Sequence, residues 1–229
     1  TLWIATASAS GYDTPIIHTA RNIAMGGTAI GHVNDASALY HNPAGLGHTT
    51  GGQAMISLSP LTGQLQGSPS AEGINIPSES ALIPMFLAGA AYNVADRLTF
   101  GLGVFPLGGG SGEYKYSYDN FGDNVDRVDS TSLAFIEVVP AALAYEFDFL
   151  GGKMRIGAAY RVTIAQFQRN ITNTETGKDP VKYHDINMQG MNTTGFRVGI
   201  QGTYGDLDIG LTYRSGFTVD MDTVEGHET

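Results

Sequence analysis

Four arginines stand where strand-like alternation would place them on an enclosed face, which makes them candidates for binding an anion. In "RIGAAYRVTIA" the alternation puts Arg161 opposite a row of apolar side chains, where its guanidinium can form a charge-assisted pair with a ligand carboxylate. Arg155, Arg197 and Arg214 occupy equivalent positions. The alternative, which is favoured for most of them, is an internal ion pair with a facing acid such as Glu146 or Asp208, or with groups of the first fifty residues. If none of the four contacts the ligand, an aromatic or alkane ligand is expected rather than a fatty acid.

No set of residues has the spacing of a catalytic or metal centre. The histidines at positions 18, 32, 41 and 48 are too widely spaced for the close histidine pair of zinc sites. The aspartates between positions 119 and 129 lack the D-x-[DN]-x-[DN]-G pattern of a calcium loop. The sequence contains no nucleophile elbow, phosphate-binding loop or HExxH motif. It therefore predicts no metal, no cofactor and no enzymatic activity.

Alternation of apolar with small or polar residues predicts antiparallel strands that carry one face of each kind. The pattern is clear in "RIGAAYRVTIA", "FRVGIQGTY", "LDIGLTYRS" and "LTFGLGVF". The expected strands are seven, at about 52–66, 83–94, 97–107, 131–148, 153–170, 193–204 and 207–221.

Short and long connections alternate along the chain, as in membrane barrels, whose strands are joined by tight turns at one rim and long loops at the other. The short ones lie near Ala95, Gly151 and Gly205, and long polar loops are expected from Leu107 to Thr131 and from Ile171 to Thr194. A soluble β-sandwich is the alternative, because its strands alternate too. A water-exposed sheet usually carries many lysines, whereas this chain has four, which favours the barrel.

The composition suits an outer-membrane barrel and excludes several other classes. Charged residues make up 15% of the 229-residue chain, glycine occurs 31 times and cysteine is absent. No apolar stretch reaches the ~18–20 residues of a membrane-spanning helix. Because the net charge is −10 and no basic stripe could neutralise phosphates, a nucleic-acid partner is not expected.

One strand combines residues that bend a barrel wall. The segment from Leu98 to Leu107 contains Gly101, Gly103 and Pro106. Glycine within a strand marks a bend or a bulge, and proline cannot donate a ladder hydrogen bond. We expect a kinked wall strand here, with ordinary barrel curvature as the alternative.

The first fifty residues lack the alternation and read as a compact segment with short helices. Asn34 or Asp35 is expected to cap a helix over residues 36–40. Asn42 followed by Pro43 gives a second helix start, with a side-chain cap and then proline at the first position.

This segment carries a resemblance to a known family. "ARNIAMGGTAIGHVNDASALYHNPAGL", with its Asn42-Pro43-Ala44 motif, resembles the N-terminal hatch of the FadL-type outer-membrane transporters of hydrophobic compounds. "FGLGVFPLGG" and "LTYRSGFTVDMDT" resemble later parts of the same family, in the same order. The resemblance covers essentially the whole chain.

The resemblance implies an all-β fold, a transmembrane antiparallel barrel of about 14 strands around a plug, with about seven strands in this chain. Residues 1–50 would form the hatch, and residues 51–229 the first half of the barrel, so the other half of the protein would be missing from this chain. The expected setting is the outer membrane of a Gram-negative bacterium, where the protein would be a monomeric barrel in contact with lipid or lipopolysaccharide.

The function implied is passive transport of long-chain fatty acids or aromatic hydrocarbons, with a lateral exit into the bilayer beside the kinked strand. The alternatives are a FadL-like barrel with a structural or secretion-partner role and no substrate, and a soluble β-sandwich binding module. The expected hatch or gate residues are Asn42, Pro43, Ala44, Gly101, Gly103 and Pro106. The expected ligand-binding residues are Phe105, Leu107, Phe135, Ile136 and Arg161.

Overall fold

A computed structural model describes residues 19–27, 29–67 and 75–224. Three short helices come first: α1 Ala20–Ala24, α2 Ala38–His41 and a 3₁₀ helix Pro43–His48. Strands follow in this order: β1 Gly52–Gly63, β2 Gln66–Gly67, β3 Ile76–Pro77, β4 Ala81–Ala95, β5 Leu98–Asn120, β6 Asp123–Phe149, β7 Gly152–Glu175, β8 Val181–Tyr204, β9 Leu207–Arg214 and β10 Asp222–Thr223. Residues 1–18, among them His18, lie outside the described residues.

The main sheet is antiparallel throughout, with the strand order β1-β4-β5-β6-β7-β8 followed by β10, while β9 also pairs with β8. Strands β2 and β3 form a separate small hairpin. The sheet curls, and residues of the N-terminal segment pack against its concave face. The predicted all-β antiparallel fold is confirmed. The domain boundary at residue 50 stays a prediction.

The two faces of the sheet differ as alternation predicted. On β7, Ile156 and Tyr160 point away from the N-terminal segment and are 46% and 44% exposed, whereas Arg155 and Arg161 are buried. A β-sandwich would bury the apolar rows between two sheets. Here those rows are exposed, so the sandwich alternative is wrong. Among the described residues, no helix is long and apolar enough to cross a membrane.

The two long loops predicted for residues 107–131 and 171–194 are wrong, because most of both segments is strand. Strand β5 has 23 residues and β6 has 27, and they pair up to a turn at Phe121–Gly122. Both turn residues have positive φ, which suits a tight hairpin. The extensions were missed because both their faces carry polar residues, so the sequence shows little apolar alternation there.

Two smaller predictions are also corrected. The last strand was predicted to run to residue 221, but β9 ends at Arg214, and the next segment leaves the β8 ladder until Asp222. The helix predicted over residues 36–40 begins only at Ala38, because the Asp35 carboxylate accepts from the Ser37 amide at 2.8 Å and holds a bend there.

Candidate functional site

The Asn42 side chain links the N-terminal segment to the sheet. Its Oδ1 accepts from the Ala44 amide at 3.1 Å and so caps the 3₁₀ helix, with Pro43 at the first position as predicted. Its Nδ2 donates to the Ile30 carbonyl at 2.9 Å and to the Ile200 carbonyl of β8 at 3.1 Å. The side chain is fully buried, so both ends of its amide are satisfied away from water.

Two wall glycines make room for this motif. Gly157 of β7 and Gly199 of β8 are cross-strand neighbours. A Cβ at Gly199 would overlap Oδ1 of Asn42, and one at Gly157 would overlap the backbone of Pro43 and Ala44. The motif therefore sits against bare backbone. The inward-facing glycines are visible in the sequence as places where another segment could pack closely. Only the strand register shows that Gly157 and Gly199 are neighbours and that Asn42 and Pro43 pack there.

The glycines predicted to bend the wall also contact the N-terminal segment. A Cβ at Gly103 would lie 2.7 Å from Cδ1 of Leu39, and one at Gly101 would lie 2.9 Å from Cδ1 of Leu46. Both leucines are fully buried. These contacts give the two β5 glycines a packing reason that is independent of any gate.

Arg197 of β8 joins the wall to helix α2. Its guanidinium donates to the Leu39 carbonyl at 2.9 Å and lies over the Tyr40 ring, with Cζ 5.3 Å from the ring centroid. The same guanidinium lies 3.8 Å from the Glu137 carboxylate. Such a cation over an aromatic face is favourable, and more so when water is excluded.

Arg161 already has an acidic partner. Its guanidinium forms an ion pair with Glu137, both side chains are fully buried, and a second donor reaches the Ser215 carbonyl at 3.2 Å. Arg155 pairs with Glu146 at 2.7 Å, as the internal alternative predicted. A ligand carboxylate would have to displace Glu137 to reach Arg161, so the ligand-binding role of Arg161 stays a prediction. Sequence reasoning missed Glu137.

The four apolar residues expected to line a ligand pocket do not share one cavity. Phe105 and Leu107 are buried in the core with the N-terminal segment, where the Phe105 and Tyr40 rings meet edge-to-face at 5.1 Å. Phe135 contacts Phe217, with ring centroids 6.3 Å apart. Only Phe135 and Ile136 line the apolar cavity described next.

The wall has a gap between β4 and β5, here called the window. The β4–β5 ladder ends at the pair Ala88–Val104, and the stretches Ala81–Leu87 and Phe105–Gly112 above it do not pair with each other. Pro106 explains the end of the ladder, because it has no backbone N–H to donate the next hydrogen bond from β5 to β4. The amide of Glu79 donates to the Glu113 carbonyl at 2.7 Å and closes the window above.

The window contains an apolar cavity of about 230 Å³. Its lining comes from Leu82–Phe86, Pro106, Gly108–Ser111 and Ser132–Ile136. A register shift between Pro106 and Gly108 bulges β5 at this point, and Gly109 has a φ of 153°. The kinked strand expected at Pro106 is therefore present, and the gap lies beside it.

His48 ends the 3₁₀ helix near the rim with the short turns. Burial, and next the nearby Arg155 guanidinium, lower the pKa of His48 below its ordinary value of 6.5. The residue lines an open polar cavity of about 680 Å³ with Arg97 and Lys153. Within residues 19–27, 29–67 and 75–224, no three histidine, aspartate or glutamate side chains come together as metal ligands.

Comparison with known proteins gives one structural likeness. No protein-family model matches the chain, and no curated protein matches it. Among solved structures, the chain is similar to the crystal structure of the toluene transporter TodX of P. putida, at 12% sequence identity and a TM-score of 0.40. The match covers 85% of this chain and 68% of that one.

Proposed function

We propose that the protein is an outer-membrane barrel of a Gram-negative bacterium that lets hydrophobic small molecules pass without an energy source. In this proposal residues 1–50 are a hatch inside the barrel, and the ligand leaves sideways through the window into the bilayer. The observation that carries the proposal is the window itself, an apolar opening in a wall whose outer face is also apolar.

A lateral exit suits a ligand that water disfavours. Moving apolar surface from one apolar environment to another avoids the hydration cost of about 25 cal/mol per Å². Side chains on the outer face next to the window, such as Leu82 and Leu102, are large and exposed, as expected for a lipid-facing surface. The window therefore joins two apolar regions, the interior around Phe135 and the bilayer.

The interior chemistry favours an uncharged ligand. Arg161 and Arg155 are bound to Glu137 and Glu146, so neither is free for a carboxylate. We infer that aromatic hydrocarbons or alkanes suit this interior better than long-chain fatty acids. A fatty acid would need a carboxylate site elsewhere.

The hatch must shift for a ligand to pass from outside to the window. Leu39 and Tyr40 of α2 pack directly beneath Phe105 and the β5 glycines. We propose Asn42, Pro43 and Ala44 as the fixed end of the hatch and the region around Leu39 as the part that moves, with Gly101, Gly103 and Pro106 shaping the facing wall.

A second candidate is a barrel with a structural or secretion-partner role. The dense hydrogen bonding of Asn42 and the buried contact of Arg197 with Leu39 favour it, because they suit a plug that does not move. Transport and scaffold differ in one measurable way, since only a transporter loses uptake when the window is filled.

The test fills the window without disturbing the hatch. Gly110 lines the window, and a Cβ there meets nothing within 4 Å, so Gly110→Phe adds a ring to the opening itself. Gly63→Phe is the control, because Gly63 of β1 is equally open but outside the window. We expect cells with Gly110→Phe to lose most uptake of a labelled alkylbenzene and cells with Gly63→Phe to keep it. Unchanged uptake in Gly110→Phe would contradict transport through the window and favour the structural or secretion-partner role.

A further inference from the structure

A second cavity, of about 320 Å³, lies beside the window and is polar. It shares Ser111 and Ser132 with the window cavity, and its other lining includes Glu113, Ser130, Gln168 and Asn170. We call it the outer polar pocket. Nothing in the proposed transport route uses it.

The pocket lies on the outer face of the sheet, away from the interior. Along β6, Glu137 and Phe135 point inward, so the alternate residues Ser132 and Ser130 point outward. The same alternation on β7 places Gln168 and Asn170 on the face of the exposed Ile164.

The pocket begins where the apolar outer face ends. On β6 the outward side chains are Ile136 and Ala134, and then Ser132 and Ser130. On the paired strand β7, Ile164 is the last apolar side chain of the outer face, and the outward side chains after it are glutamines and then an asparagine. If the apolar face marks the hydrocarbon region, as the proposed function requires, the pocket lies at the level of the lipid headgroups.

The lining forms a regular array of hydrogen-bonding groups. Ser132 of β6 stands between Ser111 and Gln168, and Ser130 stands between Glu113 and Asn170, as direct cross-strand neighbours. Within the described residues, the side chains of the three serines and of both amides make no hydrogen bond to another protein group. Their donors and acceptors are therefore available to a ligand.

The charge of the pocket disfavours a phosphate. Glu79 and Glu113 face it, and both share a single lysine, Lys115, at 3.6 and 2.9 Å. Two carboxylates with one ammonium leave a net negative charge. A phosphate headgroup would meet repulsion, whereas carboxylates, amides and hydroxyls all suit neutral hydroxyl groups.

We propose that the outer polar pocket binds the saccharide headgroup of a membrane glycolipid, held by Gln168, Asn170 and the three serines. The acyl chains of that lipid would lie on the apolar face below, next to the window. Because the window cavity and the pocket share Ser111 and Ser132, a lipid bound here stands at the edge of the lateral exit.

The test measures which lipid stays with the purified full chain. The protein is exchanged into mixed micelles with equal amounts of digalactosyldiacylglycerol, which has a neutral sugar headgroup, and phosphatidylglycerol, which is anionic. Native mass spectrometry then counts the lipids retained. We expect the unaltered protein to retain the glycolipid in preference. Equal retention of the two lipids, or a preference for phosphatidylglycerol, would overturn the proposal.

Variants assign the retention to this pocket. Gln168→Ala/Asn170→Ala removes two amides and should lower glycolipid retention roughly tenfold, in line with two neutral hydrogen bonds. The matched control is Gln166→Ala/Gln189→Ala, an exposed cross-strand pair of amides on the same face but outside the pocket, which should retain the lipid normally. An equal loss in both pairs would contradict the assignment.

A charge variant tests the reason for the preference. Glu79→Gln/Glu113→Gln keeps the hydrogen-bonding shape but leaves Lys115 unopposed, so phosphatidylglycerol retention should rise by several-fold. If it stays unchanged, charge does not set the selectivity and the proposal of a saccharide site fails on that point.

This inference rests on the proposed function only for the position of the membrane. The two can fail separately, because alkylbenzene uptake is measured in cells and lipid retention on purified protein. Normal uptake without glycolipid preference would remove the saccharide site alone. Glycolipid preference without any uptake would remove the transport proposal alone.

Discussion

The side-chain nitrogen Nδ2 of Asn42 lies 3.1 Å from the Ile200 carbonyl oxygen and joins the N-terminal segment to a residue of β8 that lies 158 positions later in the chain. The contact is direct, and the Asn42 side chain is fully buried. A buried amide that bonds at both ends holds one orientation, since a flipped amide would set an oxygen against carbonyl oxygens. The contact therefore fixes both the position and the rotation of the segment.

Replacing Asn42 should loosen the N-terminal segment more than it alters the barrel. Asn42→Asp places a carboxylate against the Ile30 and Ile200 carbonyls, and we expect a loss of about 1–3 kcal/mol in the free energy of unfolding. Limited proteolysis should cut the first fifty residues faster. Asn120→Asp, an exposed position at the end of β5 and away from the N-terminal segment, is the control and should behave as the parent. Equal protease resistance in both variants would contradict a fixing role for Asn42.

The glycines behind the motif give an independent prediction. Gly199→Ala inserts a methyl group where Asn42 Oδ1 lies, so we expect a loss of about 1–3 kcal/mol from overpacking. Gly63→Ala, which has open space around its Cβ, should change the stability little. The measurement is the urea midpoint of both variants. A Gly199→Ala midpoint equal to that of Gly63→Ala would show that the segment does not pack here.

The buried ion pair predicts a large effect with a partial rescue. Arg161→Met leaves Glu137 buried, with Arg197 at 3.8 Å as its remaining cation, and should cost about 3–5 kcal/mol. Adding Glu137→Gln removes the stranded charge, so the double variant should be more stable than Arg161→Met alone. The urea midpoints of the parent and both variants decide this. A double variant less stable than the single one would contradict the account.

Apolar alternation predicted the part of the fold that faces two different environments. Around Ile156 and Arg161, one face of β7 is apolar and the other small or polar, so the sequence reports strand and orientation together. From Ala134 toward the hairpin turn at Phe121, both faces carry polar residues, so the sequence there shows little apolar alternation. The strand was determined there by cross-strand pairing, which a single sequence does not display.

The site was predictable in its parts but not in its geometry. Pro106 located the kink, because the missing N–H is a property of one residue. The window forms only because β4 and β5 separate beyond Val104. Asn42 fits against the sheet only because Gly157 and Gly199, more than a hundred positions away, are direct cross-strand neighbours. Those relations depend on which strands meet, so residue type alone could not give them.

Acid should lower the stability of the folded protein through His48, the last residue of the 3₁₀ helix. Burial and the Arg155 guanidinium keep the pKa of His48 below its ordinary value of 6.5. The folded state therefore prefers the neutral ring, and its stabilising contribution is complete above pH 6.5 and lost as the pH falls toward the lower folded value. We expect the urea midpoint to fall as the pH is lowered below about 6.5, and His48→Gln to reduce that fall. Thr50→Gln, an exposed neighbour that does not titrate, should keep the full slope of the parent. If His48→Gln keeps it too, the acid sensitivity arises from another group.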